Sequence, residues 1–162
     1  FMWKFKNKDA FEECIKDLLA DSSVQEMRHI PQHTKNISCL DHSIFVAYLS
    51  FLICRRFHLD YKAGARGGLL HDLFLYNWRD KEHEGHHLFN HPKIALKNAS
   101  EQFELTDKEK DCIVKHMWPV TKKLPKYRES FIVGCADKIC AALEMMRLFR
   151  VFGVQAKLCA AV

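Results

Sequence analysis

The side chains best suited to chemistry are a histidine and a carboxylate that are adjacent in sequence, His71 and Asp72, near the end of an apolar segment. Neighbouring residues of a helix project about 100° apart, so both reach one ion only where that helix meets others. His42 interrupts a second apolar stretch, and Asp137 lies inside a third, FIVGCADKICAAL. A buried carboxylate is costly unless a cation compensates it. We therefore predict that these four residues converge on a divalent metal ion.

Each of these residues also has a plainer interpretation. His42 would serve equally well as a hydrogen-bonded core histidine, and Asp137 would be satisfied by an arginine or by an adjacent helix. A His-Asp dipeptide taken alone is common and indicates little. The metal hypothesis therefore depends on the combination of the four residues.

The order of the three segments LDHSIFVAYLS, GGLLHDLFLY and ADKI resembles the H…HD…D signature of the HD superfamily of metal-dependent phosphohydrolases. The resemblance extends over residues 38–142. It implies a helical HD domain in which His42, His71, Asp72 and Asp137 bind one divalent metal ion.

Two further histidines, His91 in NHPKIALKNA and His116 in IVKHMWP, resemble those that hold a second ion in binuclear HD hydrolases. On that resemblance Asp72 bridges two ions, and His91 and His116 bind the second one. Met117 stands where some diiron relatives have another histidine, and Ser38 stands where cyclic-dinucleotide phosphodiesterases often have glutamate. The second ion is thus expected to have few protein ligands, unless water, a substrate phosphate, His86 or His87 completes its site.

The polar stretch KEHEGHHLFNHP is rich in histidine. It is interpreted either as a solvated loop or as a lid in which His86 or His87 contacts a substrate phosphate. Arg66 and Arg79 are further candidates for phosphate binding. Lys138 follows a predicted metal ligand directly and is a candidate for a catalytic role, with a surface role as the alternative.

The resemblance implies hydrolysis of a phosphate ester or anhydride, in the first instance of a nucleotide, by water that one or two divalent ions activate. Mixed histidine and carboxylate ligands favour iron or manganese, with zinc, nickel, cobalt or magnesium as alternatives. Leu75 replaces the lysine of the HD-GYP branch, which disfavours cyclic di-GMP cleavage. The main rival is a catalytically weak or inactive nucleotide-binding or signalling module. A metal oxygenase is less favoured.

The elements that position these residues are predicted to be helices, because apolar residues recur at spacings of three and four and strand alternation is absent. Proline should open the fourth helix, and a capping box should open the fifth. The predicted helices cover Asp9–Ala20, Ser38–Phe57, residues 61–76 after an N-cap at Asp60, a segment opened by His91-Pro92, a segment from Thr106 toward His116, and residues 130–149. They predict an all-α bundle of about six or seven helices, forming a single domain over residues 1–162, and the resemblance implies that this bundle is an HD domain.

Composition narrows the class of protein. With 162 residues that are 48% hydrophobic, the chain can close one core without disulfides. Seven dispersed cysteines without a C-x-x-C pair indicate reduced thiols, and no apolar run reaches the roughly 18 residues of a membrane span. We expect a soluble cytoplasmic protein that binds a small phosphorylated molecule rather than nucleic acid or membrane. The C-terminal FRVFGVQAKLCAAV favours helix packing or a homodimer contact.

Overall fold

The structure is a computed structural model that describes residues 3–34, 36–77 and 87–146, without the side chains of residues 3–6 and 87. Within these residues the chain forms helices and no β-strand, apart from an isolated bridge between Pro31 and Ser38. The seven α-helices are α1 (Trp3–Leu19), α2 (Ser22–Glu26), α3 (Cys39–Arg56), α4 (Tyr61–Leu70), α5 (His87–Gln102), α6 (Asp107–Lys115) and α7 (Arg128–Met145), and a 3-10 helix covers Met27–His29. The predicted all-α class is confirmed.

Helix starts follow the capping residues in the sequence. Asp60 caps α4, and Thr106 with Glu109 forms the predicted capping box of α6. A second capping box, made by Ser38 and Asp41, begins α3. Because the Ser38 hydroxyl satisfies a backbone N–H there, this serine has a structural reason of its own.

Helix α4 ends at Leu70, about 1.7 turns before the predicted end at residue 76. The N–H of Phe74 donates to the carbonyl of Asp72 at 2.8 Å, and Leu75 has a φ of 58°. This φ lies in the left-handed region, which non-glycine residues rarely adopt. The chain therefore turns directly after His71, and two consecutive side chains can face the same point.

Three other helix bounds differ from the predictions. Helix α5 begins at His87, so Pro92 lies inside the helix instead of opening it. Helix α1 begins at Trp3, earlier than predicted. Helix α7 begins at Arg128, and the predicted end at residue 149 lies outside the described residues.

The centre of the bundle is α3, which packs against α4 and α7. A Cβ atom on Gly68 would lie only 2.8 Å from the Cα atom of Ala47, so the backbones of α3 and α4 touch at this point. Apolar side chains such as Phe51 and Leu69 are fully buried around it. The close contact fixes the distance between α3, which carries His42, and α4, which leads directly into the His71-Asp72 pair.

Two predictions from the composition concern the state of the cysteines and the length of apolar helices. The six cysteines in the described part of the chain are free, and five of them are buried, as predicted for reduced core residues. Cys159 lies outside the described residues. Among the helices that can be described, none has the length and apolar character needed to cross a bilayer.

Candidate metal centre

The six predicted metal ligands lie together where five helices meet. Five of them are buried, and the sixth, Asp137, has 13% of its side chain exposed. They come from five parts of the chain: His42 from the first turns of α3, His71 and Asp72 from the turn after α4, His91 from α5, His116 from the end of α6, and Asp137 from α7. The convergence predicted from the sequence is therefore present.

One group within the centre consists of His42, His71 and Asp137. Nε2 of His42 lies 3.0 Å from Oδ1 of Asp137, and Nε2 of His71 lies 3.4 Å from the same oxygen. The candidate ligand atoms of the three residues lie within 4.8 Å of one another. Such a group could hold a metal ion, since its donor atoms are the nitrogen and oxygen ligands that transition metals take.

Asp72 lies between two sets of ring nitrogens. Its Oδ2 is 3.4 Å from Nε2 of His71, whereas its Oδ1 is 3.4 Å from Nε2 of His91 and 3.6 Å from Nε2 of His116. Nε2 of His91 and Nε2 of His116 are 2.9 Å apart. His71, Asp72 and His116 form a second group that could hold a metal ion.

Backbone carbonyls orient two of the rings. Nδ1 of His71 lies 2.6 Å from the carbonyl oxygen of Gly68, and Nδ1 of His116 lies 2.7 Å from that of Ile113. A carbonyl only accepts, so each Nδ1 carries the hydrogen, and in the neutral ring Nε2 presents a lone pair. The Nε2 atoms of His71 and His116 lie 3.4 and 3.6 Å from oxygens of the Asp72 carboxylate. Lone pairs and carboxylate oxygens repel each other unless a cation or a proton lies between them.

His71 is where this conflict is strongest. Its Nε2 atom is buried and has no hydrogen-bond partner within the described part of the chain. It lies 3.4 Å from an oxygen of Asp72 and 3.4 Å from an oxygen of Asp137. Buried polar atoms are nearly always paired, so an unpaired nitrogen between two carboxylates fits a metal ligand.

Electrostatics keep both carboxylates ionised. Burial would raise the pKa of Asp72, but His71 outweighs it, and the pKa of Asp72 lies well below its usual range. Burial also opposes ionisation of Asp137, where the hydrogen bond with His42 and the neighbouring charge of His71 hold the pKa well below the usual range. Two ionised carboxylates at one point attract a cation.

The histidines divide into two kinds. Burial lowers the pKa of His42, but Asp137 and Glu144 outweigh it and raise that pKa to about 9. The pKa of His71 is raised in the same way, against burial, by Asp72 and Asp137. Burial and the neighbouring charge of His71 lower the pKa of His116 to about 3. Protons on His42 and His71 thus supply the positive charge when no metal does, and metal binding must displace them.

Further polar groups support the ligands from behind. Nδ1 of His42 is 2.7 Å from Oε1 of Glu144, and the Gln32 amide donates to Oδ2 of Asp72 at 2.7 Å. Such partners orient metal ligands. Sequence reasoning missed both residues. Glu144 lies two helical turns after Asp137 on the same face, so the burial argument used for Asp137 would have found it. Gln32 carries no comparable signal.

A cleft of about 210 Å³ opens beside the centre. Three of the predicted ligands reach its wall, which gives a small ligand access to them. The cleft is lined by Gln32, His33, Asp72, Leu88, His91, Met117 and Asp137. A larger cavity, of about 400 Å³, has Arg66 in its wall, and none of the six predicted ligands lines it.

The contacts of Arg66 favour a structural role over its predicted role as a phosphate ligand. Its Nη1 donates to both oxygens of Asp17, at 2.7 and 2.9 Å, and its Nε donates to Oε1 of Glu109 at 3.1 Å. The positive charge is therefore already compensated, and the cavity beside it is separate from the cleft at the metal centre. Arg66 stabilises the contact among α1, α4 and α6.

The contacts of Lys138 also favour a structural role over its predicted catalytic role. Its ammonium group donates to the carbonyl oxygens of His116, at 2.8 Å, and Gly134, at 3.1 Å. These bonds fix the end of α6, which carries His116, instead of bringing a positive charge to the carboxylates. Lys138 thus supports a predicted ligand through the backbone.

For three predicted phosphate-binding residues the structure describes no side chain. Arg79 and His86 lie outside the described residues, as does His83 of the same histidine-rich stretch. His87 is the first residue of α5, and its side chain is not among those described. Their predicted contacts with substrate stay predictions.

No family model, curated protein or solved structure matches this chain. The resemblance to the HD superfamily accordingly depends on the residues and motifs of the chain itself.

Proposed function

We propose that this protein is a metal-dependent phosphohydrolase that cleaves a phosphate ester or anhydride, in the first instance of a nucleotide. One observation carries the proposal. The buried Nε2 atom of His71 lacks a hydrogen bond among the described residues and lies 3.4 Å from each of two carboxylates, Asp72 and Asp137. The reaction class comes from the resemblance to the HD superfamily, which is an analogy of motif and fold.

The proposed ligands of the first ion are His42, His71, Asp72 and Asp137. His91 and His116 would hold a second ion, with Asp72 shared between the two. Iron or manganese suits this donor set first, and zinc, nickel, cobalt and magnesium are the alternatives. When bound, the metal would lower the pKa of water toward neutrality and stabilise negative charge on a phosphoryl oxygen.

The chain itself supplies orientation and a restricted opening. The Gly68 and Ile113 carbonyls fix the hydrogens of His71 and His116 on Nδ1, and Gln32 holds the Asp72 carboxylate. The cleft of about 210 Å³ is smaller than the roughly 300–1,000 Å³ of pockets that enclose a whole drug-sized ligand. A cleft of this size would admit a phosphate group with a part of its organic substituent, and the rest of the substrate would stay outside.

Turnover assays test this proposal. The purified protein with Mn²⁺ or Fe²⁺ should release phosphate or nucleotide from a panel of nucleoside phosphates and dinucleoside polyphosphates. His71→Ala and Asp72→Ala should each lower kcat/KM by at least about 100-fold, the upper end of the loss seen for outer-shell partners of metals. His29→Ala, an exposed histidine outside the centre, is the matched control and should keep full turnover.

Full turnover in both centre variants, or no release from any substrate with any of the proposed metals, would contradict the proposal. The second candidate, a nucleotide-binding module without turnover, is favoured by Met117, which lines the cleft where some diiron members of the HD superfamily have a histidine. Nucleotide binding by calorimetry in the absence of hydrolysis would select that candidate.

A further inference from the structure

Glu144 is a buried carboxylate behind the metal centre. Its side chain is 0% exposed, and its Oε1 lies 2.7 Å from Nδ1 of His42. Its Oε2 is buried and has no hydrogen-bond partner among the described residues. Burying a carboxylate costs free energy, and Glu144, like Asp137, is a carboxylate within the apolar helix α7. Packing alone does not explain a carboxylate at this position. The contact with His42 is therefore the feature to explain.

The two nitrogens of the His42 ring have different neighbours. Nδ1 faces Glu144, whereas Nε2 faces Oδ1 of Asp137 at 3.0 Å. Both neighbours are acceptors, so a neutral ring donates its one hydrogen to either of them. With the hydrogen on Nδ1, Nε2 has a lone pair for a metal. With the hydrogen on Nε2, the ring donates to Asp137 and offers no lone pair to the centre.

We propose that Glu144 is a positioning residue of the metal centre, which rests on the proposed metal-dependent function. By accepting the hydrogen of Nδ1, Glu144 holds His42 in the tautomer whose Nε2 binds the ion. Its negative charge also makes that nitrogen a stronger donor. Glu144 thereby sets the affinity of the centre without touching the ion or the substrate.

A different arrangement, in which Glu144 is itself a ligand, is less consistent with the contacts. His33, His42 and Glu144 form a group whose candidate ligand atoms lie within 4.8 Å of one another. An ion there would need the lone pair of Nδ1 of His42, and a neutral ring has only one lone pair. His33 is the weaker partner, since its Nε2 is 4.0 Å from Oε2 of Glu144. On the other side, Nε2 of His42 faces a group that holds both Asp137 and His71.

The experiment measures Zn²⁺ affinity of the full chain by competition with a chelator. Glu144→Gln keeps the size and an acceptor oxygen but removes the charge, and Glu144→Leu removes both. Glu129→Gln is the matched control, because Glu129 is a buried carboxylate on the same helix that binds the N–H of Asp60 and the ammonium of Lys108. Circular dichroism checks that each variant folds.

We expect Zn²⁺ to bind about 10-fold more weakly to Glu144→Gln and up to about 100-fold more weakly to Glu144→Leu, the range for partners behind a metal ligand. The number of ions per chain should not change, and Glu129→Gln should keep the wild-type affinity within about twofold on the same scale. Nitrogen-15 NMR of the Zn²⁺-loaded protein should show His42 with hydrogen on Nδ1, a signal that Glu144→Leu should alter and Glu129→Gln should leave in place.

Three results would overturn the inference: wild-type Zn²⁺ affinity in both Glu144 variants, loss of one ion with unchanged affinity for the rest, or an equal loss in Glu129→Gln. If the wild-type protein hydrolyses no phosphate compound but the two Glu144 variants show the graded loss of Zn²⁺ affinity, the proposed function is overturned and the inference is supported. Absence of Zn²⁺ binding by the wild-type protein would overturn both.

Discussion

Two buried polar clusters lie along α4 and differ in how their charges are balanced. At Arg66 the guanidinium contacts the carboxylates of Asp17 and Glu109, at 2.7 and 3.1 Å, so cation and anions are all supplied by the chain. At the His71-Asp72 pair, just past the end of the same helix, the neighbours are carboxylate oxygens and ring nitrogens, with no arginine or lysine ammonium in contact among the described residues.

The difference indicates that the Arg66 cluster stabilises the fold, whereas the His71-Asp72 cluster could bind a cation. A buried ion pair that is complete within the chain fixes how helices pack. A buried group of acceptors without a permanent cation is stable only when protons or a metal ion supply positive charge. The sequence made both of them functional candidates, because arginine is a plausible phosphate ligand and the His-Asp pair is a plausible pair of metal ligands.

The largest expected effect is on stability, in the variant Arg66→Met, which removes the cation of the first cluster. Arg66 and Glu109 have only 9% and 5% of their side chains exposed. The variant leaves Glu109 buried without its partner, and breaking such a pair costs about 3–5 kcal/mol of unfolding free energy. Urea unfolding should show this loss, while Mn²⁺ affinity stays at the wild-type value.

Asp17→Asn is the control, since that carboxylate is 56% exposed and its pairing contributes at most about 1 kcal/mol. A stable Arg66→Met protein with weakened metal binding would reverse the assignment of the two clusters.

A smaller effect is expected in the pH dependence of folding stability, which between neutral and alkaline pH should come from the metal centre and not from the Arg66 cluster. In the metal-free protein the pKa of His42 is about 9, against its usual 6.5, so the folded state holds a proton that the unfolded state releases. The resulting stabilisation is present below pH 6.5 and is lost as the pH rises through about 9. The carboxylates of Asp72 and Asp137, with pKa values held below 3.8, stabilise the fold above that pH and lose the effect in acid.

Thermal melts between pH 6 and pH 9.5 measure this effect, with roughly half-unit steps across the titration of His42. Metal-free protein should lose Tm across this interval, and protein saturated with Mn²⁺ should not, because the metal has replaced the proton. The same decline with and without Mn²⁺ would assign the titration to groups outside the centre.

Helix α4, which ends just before the His-Asp pair, shows which features can be predicted from the sequence alone and which cannot. The N-cap at Asp60 is local chemistry and was predictable. The end at Leu70 was not, because LLHDLFLY contains no glycine or proline to signal it. The turn is held by distant partners: Gln32 binds the Asp72 side chain, and Asn98 donates to the carbonyl of Leu73 at 2.8 Å.

The centre shows the same division. His42, His71, Asp72 and Asp137 were predictable because a polar residue in an apolar helix needs a partner. The contact between His42 and Glu144 joins residues 102 positions apart, and that between Gln32 and Asp72 joins residues 40 apart. Side-chain pairs at such separations are fixed by the packing of α3 against α4 and α7, which single-sequence patterns do not specify.

Calorimetric titration of Mn²⁺ into the metal-free protein tests most directly whether the buried acceptors take up a cation. The wild-type protein and Arg66→Met are predicted to bind at least one ion per chain, and His71→Ala to bind at least about 100-fold more weakly. Absence of binding by the wild-type chain, or equal binding by His71→Ala, would contradict the metal centre.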